Sequence, residues 1–267
     1  MKKKINLHGA DWDQATSDAR CSLLKNILWV YDGSADTCLY INWHMQDIFT
    51  DTSDTKKYIW INESKAIDPI SHNLLQERLG EFLIKSEGIL THDKNIYSQF
   101  AKGHFVPASN TWIKEPKICD KTKLVSMIAS NKRICAGHDL RLQWVDRLRN
   151  DLDLYGVGFN PIDSKEQGLC DYMFSVAIEN AVYESYFTEK ILDCFATGTI
   201  PIYIGTPDIG DFFNSDGIIM LDDNFDIRSL TPELYYSKID AVRDNFERVK
   251  EYIYVEDYVS KNYFKEN

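Results

Sequence analysis

Apolar residues recur along the chain in two registers, and the switches between them mark out the elements. KKKINLHG, ADTCLYINW and KKYIWINE are short apolar, β-branched and aromatic runs of strand length. SLLKNILWVYDG reads as a helix ending near Gly33, and SHNLLQERLGEFLIKSEGILTH as a helix that breaks near Gly88 into a short strand. NIYSQFAKGHFVPAS reads as another helix followed by a strand. The polar stretch TWIKEPKICDKTK, with Pro116, has the composition of a crossover between domains. A second α/β series follows it: KLVSMIAS (strand), HDLRLQWVDRLRN (helix), DLDLYGVG (strand), DYMFSVAIE (strand), TEKILDCFATG (helix) and TIPIYIG (strand). Beyond Pro232, residues Ile239, Val242, Phe246, Val249 and Ile253 fall at helical spacing. The pattern predicts two parallel-sheet α/β domains, residues 1–115 and 116–267, the second including the C-terminal helical segment. In such sheets ligands bind at the carboxyl ends of strands.

Composition narrows the function classes. The 267 residues are 44% apolar and 27% charged, ordinary globular values. A net charge of −11 argues against a nucleic-acid or anionic-membrane partner, because both need a basic face. MKKKINLHGADWDQ lacks the apolar core of a signal peptide, and no window approaches a membrane span. The expectation is a cytoplasmic chain without a membrane anchor. The six cysteines form no C-x-x-C pair and are expected as buried free thiols. Asn62-Glu63-Ser64 matches a glycosylation sequon, inert without export. The six histidines show no H-x-x-x-H spacing, and Asp222-Asp223 reads as a strand end capping the next turn, so no metal site is expected.

The chemistry concentrates at residues 174–205, FSVAIENAVYESYFTEKILDCFATGTIPIYIG. Thr188 is a helix N-cap, Ile191, Leu192 and Phe195 share a face, and Gly198 occupies the C-cap position before a buried IPIYI strand. Glu189 and Lys190 then lie in the first helical turn, where a lysine opposes the helix dipole. With the unpaired N–H groups of that turn, Lys190 makes a phosphate site; the other reading is a solvated lysine on an ordinary helix. FSVAIEN ends a strand in Glu179-Asn180 just upstream, which brings polar groups to the same place. G-x-G-x-x-G and P-loop patterns are missing.

The same stretch resembles the donor-binding signature of the α1,3-fucosyltransferases, glycosyltransferase family 10: Glu-Asn, an aromatic, Tyr-x-Thr-Glu-Lys, Gly, then Pro-Ile-Tyr-x-Gly. The likeness continues through KLVSMIASN, DLYGVG, IWINES and HFVPAS. It implies a GT-B-like fold, two Rossmann-like domains facing a cleft, the first for the acceptor and the second for GDP-fucose. It also implies transfer of fucose to a sugar hydroxyl with inversion, without a required metal or other cofactor. Lys190 and Arg141 would neutralise the leaving diphosphate, with Arg133 as the substitute for Arg141. Glu189 and Tyr186 match positions contacting the ribose or fucose and the diphosphate, and Asn180 a phosphate or sugar oxygen. Glu63 matches the glutamate of an acceptor-domain Glu-Ser-Pro segment and would be the base; here Lys65 replaces the proline, and Ile61 stands where some bacterial members carry another glutamate. The implied partners are GDP-fucose and an oligosaccharide or glycolipid acceptor, in a bacterial or viral source. Two alternatives stay open: another GDP-sugar as donor, and an inactive carbohydrate-binding relative.

Overall fold

The structure is a computed structural model, described here for residues 2–9 and 23–264. It divides into two units, residues 1–108 with 254–267, and residues 109–253.

The first unit is built on a six-stranded sheet of order β2-β1-β3-β4-β5-β6, every pairing parallel. Its strands are β1 (Lys3–His8), β2 (Ile27–Val30), β3 (Thr37–Ile41), β4 (Lys56–Ile61), β5 (Gly88–Thr91) and β6 (Gly103–Phe105). Alternate residues of one strand serve opposite faces, and both faces are buried. Leu39 and Ile41 pack with Ile5, Leu7, Trp29, Trp60 and Leu90. Cys38 and Tyr40 pack on the other side with Met45, Ile48, Leu75 and Phe82. The helices α1 (Pro69–Glu77) and α2 (Leu79–Lys85) follow β4, and NIYSQF contributes only the single turn α3 (Lys94–Tyr97).

Two expectations fail in this unit. The segment read as a helix up to Gly33 supplies β2, whose Ile27 and Trp29 are buried while Leu28 between them is 36% exposed. Its apolar residues fit either period; parallel pairing with β1, Lys3 opposite Ile27, selects the strand. The final helix, Val255–Tyr263, belongs to this unit and not to the second domain in which the sequence reading put it. Val255, Val259 and Phe264 join the core around Ile5, Ile27 and Trp29. Its Asp257 carboxylate accepts the backbone N–H groups of Lys25 and Asn26 at 3.0 Å, which ties it to the residues entering β2.

The second unit holds a five-stranded parallel sheet of order β11-β10-β9-β7-β8. In chain order it runs β7 (Lys123–Ile128), α4 (Ala136–Leu148), β8 (Asp153–Tyr155), α5 (Glu166–Leu169), β9 (Tyr172–Ile178), α6 (Glu189–Thr197), β10 (Ile200–Ile204), β11 (Ile219–Met220), α7 (Pro232–Ser237) and α8 (Ile239–Val249). All seven residues of the central strand β9 are buried. Phe174, Val176 and Ile178 pack with Met127, Trp144, Val145, Ile200, Ile202, Tyr235 and Val242. The sheet grows in one direction from β7 to β8 and in the other to β9, so its switch point lies between β7 and β9. As expected, Gly198 closes α6 in the left-handed conformation, φ 70°, and Asp222 caps the turn after β11 through Asn224 N–H at 2.8 Å.

Cys38 and Cys194 are buried free thiols as expected, Cys135 is free but only partly buried, and Cys119 and Cys170 are joined as a disulfide. Cys21 lies outside the described residues. The pairing follows from register. Lys123 stands opposite Tyr172, so the segments leading into β7 and β9 run side by side and bring the two Cα atoms to 5.2 Å. Phe174, fully buried at the middle of β9 with its ring edge-to-face on Tyr235, is a direct test of this core. Phe174→Ala should cost about 3–5 kcal/mol by chemical denaturation; an unchanged midpoint would contradict the packing.

Candidate functional site

The carboxyl end of β9 and the start of α6 are held together by one buried carboxylate. Glu179, 2% exposed, follows Ile178 directly and receives the Thr188 backbone N–H at 2.8 Å and the Thr188 hydroxyl at 2.7 Å. Its Oε2 also lies 3.3 Å from Lys190 Nζ. Thr188 has the N-cap role read from the sequence, accepting the Lys190 backbone N–H. The same hydroxyl accepts from Lys190 Nζ at 2.8 Å, and Glu189 Oε1 stands 3.2 Å from that nitrogen. Lys190 is therefore neither a solvated lysine nor a bare cation. It is a fixed ammonium between two carboxylates, and although burial acts to lower its pKa, Glu179 and Glu189 raise it.

Glu189 is shared. Its Oε1 also faces Lys165 Nζ at 3.8 Å, and Lys165 is itself paired at 2.7 Å with Asp193, 1% exposed, one turn further along α6. Burial alone would raise the Glu189 carboxyl, but Lys190 and Lys165 outweigh it and hold the group at about 2. Asp193 has no such surplus of cations, and burial raises its carboxyl despite Lys165. Its other oxygen accepts the backbone N–H groups of Trp112 and Ile113 at 2.8 and 3.2 Å.

Arg141 reaches this place from α4. Its Nε and Nη2 donate to Ile178 O at 3.1 and 2.7 Å, and Nη2 donates to Asn180 Oδ1 at 2.8 Å. Arg141 is 5% exposed, so its first effect is to fix the strand end and the side-chain oxygen of Asn180. Arg133 is elsewhere, in an exposed pair with Asp139 at 3.0 Å. The first turn of α4 lies against Asn180: a Cβ on Gly137 would stand 2.1 Å from Asn180 O, and Cys135 Sγ donates to that carbonyl at 3.4 Å. His138 Nδ1 faces Cys135 Sγ and accepts Ile134 N–H, both at 3.3 Å; burial lowers its pKa, with Arg141 and Lys190 adding to the effect.

Tyr186 is 2% exposed, with its ring edge-to-face on Tyr183. The loop carrying it is braced by Asp208, which accepts Ser185 N–H at 2.7 Å and the Ser185 hydroxyl at 3.0 Å. This holds Ser185 at φ 61°, a conformation that costs a non-glycine residue roughly 1–2 kcal/mol. Gly205, closing β10, has no room for a side chain: a Cβ would meet Tyr203 Oη at 2.0 Å and Glu179 Cγ at 2.7 Å. Asn180, Arg141, Glu189 and Lys190 thus converge at one strand-to-helix junction. Glu63 belongs to the first unit, exposed just beyond the carboxyl end of β4, where His72 Nε2 donates to its backbone carbonyl at 2.8 Å. Its neighbour Asn62 is clasped by Asn42 at 2.7 and 3.2 Å.

Sequence reasoning missed Lys165, Asp193 and Trp112, and treated Glu179 only as a strand end. One signal was present: Asp193 interrupts the otherwise apolar ILDCFAT run, and a carboxylate on a buried helix face must be paired. Among the described residues no group of three or more His, Cys, Asp or Glu is placed to hold a metal ion, and no helix is long and apolar enough to cross a membrane.

The model of Glycosyltransferase family 10 (fucosyltransferase) C-term matches residues 118–265. The alpha-(1,3)-fucosyltransferase FucT of Helicobacter pylori is 38% identical over 72 residues, which span 26% of this chain and only 15% of that relative. A solved alpha1,3-fucosyltransferase with GDP superposes with a TM-score of 0.53 at 17% identity, covering 95% of this chain and 81% of the other. A further one with GDP-fucose superposes at 0.51 and 14% identity, covering 95% and 81%. These likenesses are of fold, and the two parallel-sheet units are those of GT-B glycosyltransferases. With its family model matched over more than half its length, the chain belongs to glycosyltransferase family 10, the fucosyltransferases.

Proposed function

We propose that the chain moves fucose from GDP-fucose to a hydroxyl of an oligosaccharide or glycolipid acceptor, with inversion and an α1,3-type linkage. The observation that carries the reading is the pre-paired ammonium of Lys190 at the first turn of α6, at the strand-to-helix junction where Arg141 holds the Asn180 side chain. Such a cluster suits a diphosphate, and the solved relatives with GDP and GDP-fucose support that donor.

In this mechanism the Glu63 carboxylate takes the proton of the acceptor hydroxyl as its oxygen bonds to the anomeric carbon. The bond from that carbon to the β-phosphate oxygen breaks, and GDP leaves with the electron pair. Lys190 meets the charge that develops on the diphosphate. Because Glu179 and Thr188 already fix its position, little reorganisation is needed as the charge grows. Asn180 Nδ2, oriented by Arg141, donates to a phosphate or sugar oxygen. Glu189, ionised at all pH values near neutrality, accepts from sugar hydroxyls, and Tyr186 packs beside the donor. No metal or other cofactor has a step in this mechanism.

Three results would test it. Lys190→Ala should lower GDP release from GDP-fucose about 10²–10³-fold, with Lys190→Arg as the charge-keeping control; undiminished release removes the phosphate role. Glu63→Gln should lower kcat by about 10²–10⁴-fold while calorimetric GDP affinity stays at the wild-type level; unchanged kcat moves the base elsewhere. Glu189, with a folded pKa below its ordinary value, contributes stability that is fully present above about pH 5 and lost as pH falls towards 2. The stability gap between wild type and Glu189→Gln should accordingly narrow over that window in denaturation series. A gap independent of pH would show that the carboxylate is not held by its cations.

A further inference from the structure

Trp112 is 64% exposed, yet it is more firmly anchored than a surface indole needs to be. Its backbone N–H is bound at 2.8 Å by Asp193, a carboxylate that is itself 1% exposed. One face of its ring is occupied by Lys165, whose Nζ stands 4.2 Å from the ring centroid. That ammonium is fixed in turn by Asp193 at 2.7 Å and Glu189 at 3.8 Å, and the Lys165 side chain is only 15% exposed. A single exposed aromatic needs no explanation by itself. This one is held from behind by a cation and from its backbone by a buried acid, and is joined through Lys165 and Glu189 to Lys190.

Resting on the donor reading above, we propose that the outer face of Trp112 is the platform on which the purine base of the nucleotide stacks. The chemistry favours a purine over a sugar. A cation against one face of an indole draws electron density towards itself, so the opposite face is electron-poor. Such a face stacks best on an electron-rich heteroaromatic ring, guanine above all, and less well on the polarised C–H groups of a pyranose. The order of contacts also fits a nucleoside diphosphate. Lys190 marks the phosphates, Glu189 stands next to it as an acceptor for ribose hydroxyls, and Lys165 with Trp112 comes next, one ribose removed from the phosphates. Trp112 is here a specificity residue for the base; nothing in the bond-making step passes through it.

The test compares wild type, Trp112→Ala and Trp112→Phe by calorimetry with GDP and, separately, with inorganic pyrophosphate, which has no base. Trp112→Ala should weaken GDP binding about tenfold, the range of one base–aromatic stack. Trp112→Phe should restore most of it, and pyrophosphate binding should be the same in all three. Wild-type GDP affinity in Trp112→Ala overturns the inference, as does an equal loss for GDP and pyrophosphate, which would mark a structural role. Unchanged GDP affinity with a raised acceptor KM assigns the ring to the acceptor and overturns it as well. If the wild-type chain binds no GDP, the donor reading fails and this inference falls with it, an outcome distinct from the others because it precedes any substitution.

Discussion

The second unit depends on the buried carboxylate of Glu179. It sits at the end of the central strand, where a polar side chain without partners would cost several kcal/mol, and its hydrogen-bond and ion-pair partners Thr188 and Lys190 stand at the start of α6. Thr188 contributes its N–H and hydroxyl, and Lys190 its ammonium. The strand end and the helix start are thereby one rigid object. A lysine in the first turn of a helix opposes the macrodipole by a few tenths to about 1 kcal/mol; a charge-assisted contact with a desolvated carboxylate outweighs that, so the lysine is at home there before any ligand arrives.

Around this contact the charges balance. Glu179, Glu189 and Asp193 face Lys190, Lys165 and Arg141. None of these acids could stand alone at such burial, and none of the bases could either. The balance explains why the pKa directions diverge within one cluster. Glu189, between two cations, is held far down, whereas Asp193, with one, is pushed up by burial. On the proposed reading, an incoming diphosphate would compete with the carboxylates of Glu179 and Glu189 for the Lys190 ammonium.

Much of this was legible in the sequence. Short apolar and β-branched runs of strand length identified β1, β3 and β4, and helical spacing identified α4, α6 and α8. Thr188 and Gly198 have the cap geometry their chemistry predicted. The site residues Asn180, Glu189 and Lys190 lie within eleven positions of one another, so local order alone brought them close to a single junction. Where the reading failed, the pattern was degenerate. SLLKNILWV satisfies both periods, and only the neighbouring strand chooses between them. An amphipathic helix states which of its faces is buried but not which sheet will bury it, and so the C-terminal helix was given to the wrong unit. Cys119 and Cys170 are 51 positions apart, and nothing in their spacing anticipates adjacent strand entrances.

The YFTEKIL segment by itself determined a capped helix start with an acid and a base in its first turn, since caps and periodicity act over a few residues. What holds the base was decided only by the fold. Parallel pairing of β9 between β7 and β10 sets Glu179 under Lys190, α4 brings Arg141 to Asn180, and the segment before β7 brings Trp112 over Lys165. Electrostatic contacts fall off over a few ångströms and depend on burial. Residues 80 positions apart acquire them only when strand order and helix packing have placed them together.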